Sequence, residues 1–265
     1  MLTAIIFIFW PEEESLVESC LQSVAFADEV IVIDNGATPK TLEIIKKYTD
    51  KVYKTDSTNF AYRHNLGKEK ASGDWIFYID ADERLDKRLA EEIAGIKNDF
   101  DAYQIFRVNY FLGKEVKFGD RVPDFVTRLF KKEKLQGWTG EIHESSIVDG
   151  KIGKLQFPLY HLTHRDIFSM IQKTINFSEH EAKLRLETNH PPVVGWRLLR
   201  VFLTEFFNRM VKYQGWRQGT EGWIDGIFQA FSLFIVYARL WEMQQRPSLP
   251  EQYKMIDQKI REGSL

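Results

Sequence analysis

Residues 75–83 read Trp-Ile-Phe-Tyr-Ile-Asp-Ala-Asp-Glu, an apolar run that stops at an Asp-x-Asp pair. Alternation along an extended chain sends Asp80 and Asp82 to one side and Ala81 to the other. Two converging carboxylates repel each other unless a cation lies between them. A hard divalent ion that keeps several waters and bridges phosphate oxygens is the usual partner. Alone, the pair reads more readily as helix-capping chemistry, with Asp82 or Asp86 capping a helix that begins near Leu85. Its neighbours reverse that preference. Asp34 closes another apolar run, where a carboxylate can accept the donors of a nucleotide, although Asp34-Asn35-Gly36 is also ordinary turn chemistry. Arg63 and Asn65 flank His64 at a helix start, where a guanidinium can balance a diphosphate or simply face solvent. Asp124 and Arg128 lie on a later strand that would face the same cleft. The segment Glu141-Ile142-His143-Glu144 is the candidate base region, since a carboxylate there could take a proton from an acceptor hydroxyl. His143 could ligate a metal or orient Glu144, while a solvated loop is the plainer reading of this segment alone. His161 and His164 follow Pro158 at a strand end and read as structural more readily than as ligands, with His161 the better functional candidate.

Strands must stop where these residues stand. Residues 4–9, 30–33, 51–54 and 75–80 are strand-like. Between them, 15–25 place Leu16, Cys20, Leu21 and Val24 on one helical face, Thr38-Pro39 opens a second helix, and 60–71 forms a third, stopped by Ser72-Gly73. Leu89, Ile93 and Ile96 mark a fourth. This alternation predicts an α/β fold of right-handed βαβ units with a mostly parallel sheet covered on both faces. Beyond residue 100 come two longer strands (102–111 and 125–131), a loop over 137–146, and a hairpin within 147–162 around Asp149-Gly150. From Ile167 the pattern is helical: one helix to about 188, a break at Pro191-Pro192, another over 193–213, a Gly-rich interruption at 215–222, and a last apolar helix to about 245. The expected division is 1–165 and a helical region, 166–265.

The 36 basic and 38 acidic residues leave a formal charge of −2, which gives no bulk attraction for nucleic acid. The single cysteine, Cys20, excludes an internal disulfide and a cysteine zinc site and suits a reducing compartment, where it reads as a buried inert thiol. The apolar N-terminus lacks a basic flank and a small-residue cleavage site, so it reads as a first buried strand and a cytoplasmic location is expected. The helix 223–241 carries an apolar run short of the roughly 20 residues a span requires. Tryptophans at 196, 216, 223 and 241 and basic residues at 197, 200, 209, 212 and 217 suit peripheral contact with the inner membrane face. A core helix, or one buried in a homo-oligomer, fits that helix equally.

Taken in order, Val-Ile-Asp-Asn-Gly-Ala-Thr (32–38), Arg-His-Asn (63–65), Ala-Ser-Gly-Asp-Trp-Ile-Phe-Tyr-Ile-Asp-Ala-Asp-Glu (71–83) and Gly-Glu-Ile-His-Glu (140–144) resemble a family-2 glycosyltransferase of GT-A fold. The narrower resemblance is to the bacterial branch that includes lipopolysaccharide-core β-glucosyltransferases, which also shows Asn-Tyr-Phe-Leu-Gly (109–113), Arg-Leu-Phe (128–130) and a tail like Ala-Arg-Leu-Trp-Glu (238–242). The resemblance implies a nucleotide-diphosphate sugar donor, a UDP-sugar in preference, and Mg²⁺ or Mn²⁺ held through the Asp-x-Asp motif. It further implies inverting in-line transfer to a lipid-linked or lipopolysaccharide-type glycan. By position, Asp34 would read the nucleobase or ribose, and Asp80 and Asp82 the ribose, diphosphate and metal. Together with the residue readings above, the donor set is Asp34, Arg63, Asn65, Asp80, Asp82, Trp10 and Arg128. The metal set is Asp80, Asp82 and His161, and the base is Glu144, with Glu141 second and His143 beside it. One departure stands out. The family runs from its first strand into a basic residue and Asn-Glu-Glu, whereas Phe9-Trp10-Pro11-Glu12-Glu13-Glu14 stands here; Trp10 can stack on the base or pack as a lid. The rival readings are a sugar-nucleotide pyrophosphorylase, which would want a Gly-rich basic turn after the first strand, and a non-catalytic nucleotide-sugar-binding or scaffold protein.

Overall fold

The computed structural model describes residues 1–9, 14–97, 99–120, 122–141 and 144–264. The chain divides into two compact units, one of Met1–Glu115 with Pro123–Thr163 and one of Val116–Val122 with His164–Leu265. The first unit opens with strand–helix alternation: β1 (Leu2–Ile8), α1 (Glu14–Ser23), β2 (Glu29–Asp34), α2 (Pro39–Ile45), β3 (Val52–Lys54), α3 (Phe60–Lys70), β4 (Trp75–Asp80), β5 (Glu83–Leu85) and α4 (Lys87–Ala94). It continues through β6 (Ala102–Phe111), β7 (Lys114–Glu115), β8 (Phe125–Lys131), β9 (Leu135–Thr139), β10 (Ser145–Val148), β11 (Ile152–Lys154) and β12 (Leu159–Thr163).

The main sheet runs β3-β2-β1-β4-β8-β6-β12-β5, with β7 and β11 also paired to β6. The first four strands are parallel, β8 is antiparallel to both β4 and β6, and β12 is parallel to β6. Strands β1, β2 and β4 are apolar nearly throughout because both sheet faces are covered. Ile6 and Ile8 of β1 share a core with Val17, Cys20 and Leu21 of α1 and with Leu89 and Ile93 of α4. Ile5 and Phe7 join Ala61 of α3 and Trp138 of β9 on the other face. A Cβ on Gly67 of α3 would meet Ile5 Cγ2 at 2.8 Å, so that helix lies flush on β1.

Of the two caps the sequence offers, Asp86 is the one used: its Oδ1 accepts the Leu89 N–H at 3.0 Å, and the helix starts at Lys87 rather than near Leu85 because Glu83–Leu85 forms a strand. No hairpin spans 147–162. Instead β10 pairs with β9 inside the expected loop, and β11 and β12 both run parallel to β6. The ten-residue β6 is long enough to take both short strands along its length, which a local turn signal cannot reveal.

The second unit is helical: α5 (Ile167–Glu187), α6 (Gly195–Phe207), α7 (Thr220–Met243) and α8 (Leu249–Glu262), with a π-helical turn over Asn208–Lys212 and a 3₁₀ turn over Gly215–Gln218. Ala182, Val193, Val236 and Leu240 form its small core. Helix α7 buries Gly222, Gly226 and Ala230, and at 24 residues it is, by length and composition only, long and apolar enough to cross a membrane. The sequence reading also ended the last helix near 245 and missed α8, which Ser248 and Glu251 start with a reciprocal capping box.

Candidate active site

Strand β4 delivers the acidic pair to the carboxyl edge of the sheet, with Ala81 fully buried beneath it. Asp80 Oδ2 is ion-paired with Arg128 Nη2, which also donates to Glu83 Oε1 at 3.0 Å. Arg107 Nη1 reaches the same Glu83 oxygen at 3.0 Å, and Glu83 Oε2 accepts the Asp80 N–H at 3.0 Å. Glu83 is therefore the completely buried hub of the network. Burial opposes its ionisation, but Arg128 and Arg107 outweigh that and hold its carboxyl below the ordinary range. Burial raises the Asp80 carboxyl, aided by the charges of Glu83 and Asp82, against the pull of Arg128. The expected metal ligand Asp80 thus has one oxygen committed to an arginine of the neighbouring strand.

Asp82 has a different partner. Its Oδ2 lies 3.3 Å from His161 Nε2, and His161 Nδ1 lies 2.6 Å from Asn109 Oδ1, its cross-strand neighbour between β12 and β6. Asn109 Nδ2 donates to Asp124 Oδ2 at 2.8 Å, which also accepts from Arg107 Nε at 2.8 Å. An anion can only accept from the Asn109 amide nitrogen, so Oδ1 is turned toward the ring and accepts from a protonated Nδ1. The lone pair of Nε2 then points at a carboxylate. Two acceptors at that distance call for positive charge between them, either a proton or a cation.

Asp80, Glu83 and Asp124 pair with Arg107 and Arg128, and Asp82 meets His161. Among the described residues no three acidic, histidine or cysteine side chains converge as a ready-made metal cage. A carboxylate with an imidazole suits an ion that takes most of its ligands from water and phosphate. The residues present fit Mg²⁺ or Mn²⁺ on those terms.

The remaining candidates divide. Asp34 is buried, and its Oδ1 accepts the N–H groups of Gly36 (2.9 Å) and Ala37 (2.7 Å), so the turn chemistry is realised. Arg63 is buried too, donating to Ser57 O (2.7 Å) and Asn35 Oδ1 (2.6 Å) with its guanidinium 5.0 Å from the rings of Phe9 and Phe60. It braces the Asp34 turn. Asn65 has both ends of its amide on the Trp138 backbone, at 3.0 and 2.9 Å, and ties α3 to β9. His64 between them packs on Phe7, Tyr78 and Trp138, and burial pushes it down to about 3. The carbonyl of Glu141 accepts the Phe60 N–H at 2.9 Å, and Glu144 is half-buried before β10. Trp10 and His143 lie outside the described residues. Sequence reasoning missed Arg107 and Asn109. The available signal was two polar residues spaced by two within an otherwise largely apolar strand, which share one face.

The family profile described as Glycosyl transferase family 2 matches residues 5–148. The chain is 25% identical to the lipopolysaccharide core biosynthesis glycosyltransferase LpsC of Rhizobium meliloti (strain 1021), over 92% of this chain and 95% of that protein. It is 27% identical to an uncharacterized glycosyltransferase of Rickettsia typhi, over 89% and 86% of the two chains. Among solved structures, S. aureus TarS 1–349 in complex with UDP-GlcNAc is similar with a TM-score of 0.49 and 17% identity, over 99% of this chain and 92% of that one.

Proposed function

Because the chain belongs to glycosyl transferase family 2, we propose that it moves a sugar, with inversion, from a UDP-sugar to a hydroxyl of a lipid-linked or lipopolysaccharide-type glycan. The observation that carries this reading is the Asp82–His161 pair at the carboxyl end of β4, held in place through Asn109 and Asp124. That edge is where open α/β sheets take nucleotides. The acceptor class is supported by the name of the R. meliloti relative, which this chain matches over nearly its whole length.

The Asp82 carboxylate and His161 Nε2 would hold Mg²⁺ or Mn²⁺, with Asp80 beside them. When bound, that ion supplies positive charge to the departing diphosphate. Arg128 and Arg107 keep the acidic residues in place, and the Asp34 turn, braced by Arg63, lies where the nucleoside would enter. Glu144 takes the proton of the acceptor hydroxyl as its oxygen bonds to the anomeric carbon and the bond to the diphosphate breaks; Glu141 is the second candidate. In support, the bond from Phe60 to Glu141 ties this loop to the start of α3, at the edge where parallel β3 ends.

Asp82→Ala is expected to abolish both sugar transfer and donor hydrolysis while leaving the urea midpoint unchanged. The parent protein should gain about 2.7 kcal/mol from a UDP-sugar with Mn²⁺ at a hundredfold excess over Kd, and the variant should lose that gain. Absence of any Mn²⁺-dependent response to UDP-sugars in the parent would refute the donor assignment.

A further inference from the structure

Helix α6 carries its apolar stripe on the outside. Trp196, Leu199, Leu203 and Phe207 recur at helical spacing on one face, and their exposures run from 52% to 62%. The only buried side chain of the helix is Val201. Val211, also more than half exposed, extends the stripe into the π-helical turn. Beside it an open groove of about 460 Å³ between α6 and α7 is lined only by apolar side chains and Gly195, among them Leu198, Phe202, Phe231 and Phe234. A contiguous apolar surface rimmed by polar groups marks an interaction site.

Charge identifies the occupant. Residues 195–218 carry Arg197, Arg200, Arg209, Lys212 and Arg217 against Glu205 alone. Glu205 is taken up by Arg209 at 2.6 Å, and Arg200, Lys212 and Arg217 are exposed. The Arg200 guanidinium lies 5.3 Å from the Trp196 ring centre, and the Lys212 ammonium 5.2 Å from that of Tyr213. Cations thus stand over aromatic rings at both ends of the stripe, the arrangement of a helix lying in a headgroup layer. A second copy docked face to face would set these cations against their own kind. We propose that the outer face of α6 lies in the surface of an anionic phospholipid bilayer, its stripe among the acyl chains and Arg200, Lys212 and Arg217 at the phosphates. This surface belongs to the second unit alone and does not depend on the donor reading. It also moves the contact from α7, the helix the sequence pointed to, to α6.

Sedimentation of the full chain with sucrose-loaded vesicles tests the proposal. The parent is expected to bind phosphatidylcholine vesicles containing phosphatidylglycerol, less so as salt rises, and to bind pure phosphatidylcholine about tenfold or more weakly. Leu203→Glu with Phe207→Glu should lose binding to both with an unchanged circular dichroism spectrum, because the replaced side chains stand in solvent. Arg200→Glu with Lys212→Glu should abolish the preference for phosphatidylglycerol. Ile260→Glu on α8, equally exposed, should change nothing. Failure of the parent to sediment with anionic vesicles would overturn the proposal. So would a lipid-free oligomer, seen by analytical ultracentrifugation, that the Leu203/Phe207 pair converts to monomer, since the stripe would then be a contact between copies.

Discussion

Asn109 acts on the site without being able to perform its chemistry. Its amide is oriented by Asp124, which Arg107 in turn holds, and it fixes which nitrogen of His161 carries the proton. Leucine at 109 would fill similar space but leave the imidazole free to rotate and to exchange tautomers. Losing such a partner costs about 10- to 100-fold in metal affinity. Asn109→Leu is therefore expected to weaken Mn²⁺ binding by that factor, read by electron paramagnetic resonance titration of the protein in the absence of donor. Unchanged Mn²⁺ affinity would show that Asn109 merely fills the strand interface. Arg128 would be a poorer probe, because removing it takes away the Asp80 ion pair and leaves the buried Glu83 with Arg107 alone, at a cost of several kcal/mol of stability.

Among the elements, α3 does most to shape the cleft, since it carries Arg63 to the Asp34 turn and Asn65 to β9. Its fit depends on Gly67, where a methyl group would press on the fully buried Ile5. Alanine improves intrinsic helix stability by about 1 kcal/mol, while overpacking a core costs typically 1–3 kcal/mol. The Cγ2 methyl of Ile5 is branched at Cβ and cannot swing away, so the steric cost should win. Gly67→Ala is expected to lower the urea-unfolding free energy by about 1 kcal/mol or more; a gain would mean that α3 can lift off β1 at little cost. The first four strands, their helices and the Asp-x-Asp junction were legible in the sequence because each rests on a local pattern that ends in a turn. His161 was legible only as a candidate. Its partner Asn109, and Asp124 behind Asn109, are brought to it through the parallel register of β6 with β12 and the antiparallel register with β8, which no local pattern encodes. The supposed hairpin failed for the same reason: its turn was read correctly, but the strands around it pair elsewhere. Helix α8 was missed although its Ser-Leu-Pro-Glu start is a capping signal, because the apolar helix before it drew the reading to a close.

For the molecule as a whole, acid should act through two groups placed well apart from the acidic pair in sequence. Glu29, buried at the start of β2, accepts from Thr3, Lys51 and both donors of Ser72. Burial alone would raise its carboxyl, but these partners hold it at about 2, against 4.5 when unfolded. A depressed carboxyl contributes its stability above the unfolded value, here about 3 kcal/mol, and loses it as the pH falls toward the folded one. His64 works in the same direction: at about 3 in the fold against 6.5 unfolded, it takes up a proton on unfolding as soon as the pH drops below the higher value. Glu29→Gln is expected to be less stable than the parent at neutral pH and to show a shallower fall in unfolding free energy between about pH 5 and 3. Parallel curves for the two proteins would contradict the assignment. The two units also share an unusual bookkeeping of chain. The polypeptide leaves the first unit at Glu115, returns at Pro123 and departs for good after Thr163. During its brief visit, Lys117 N binds Gln218, Asp120 pairs with Arg209, and Phe118 lies under Arg217. Truncation after Thr163 would therefore leave the 116–122 segment hanging from the first unit without the helices that receive it. The boundary visible in space has no counterpart at any single peptide bond, so no single cut of the chain separates the two halves intact.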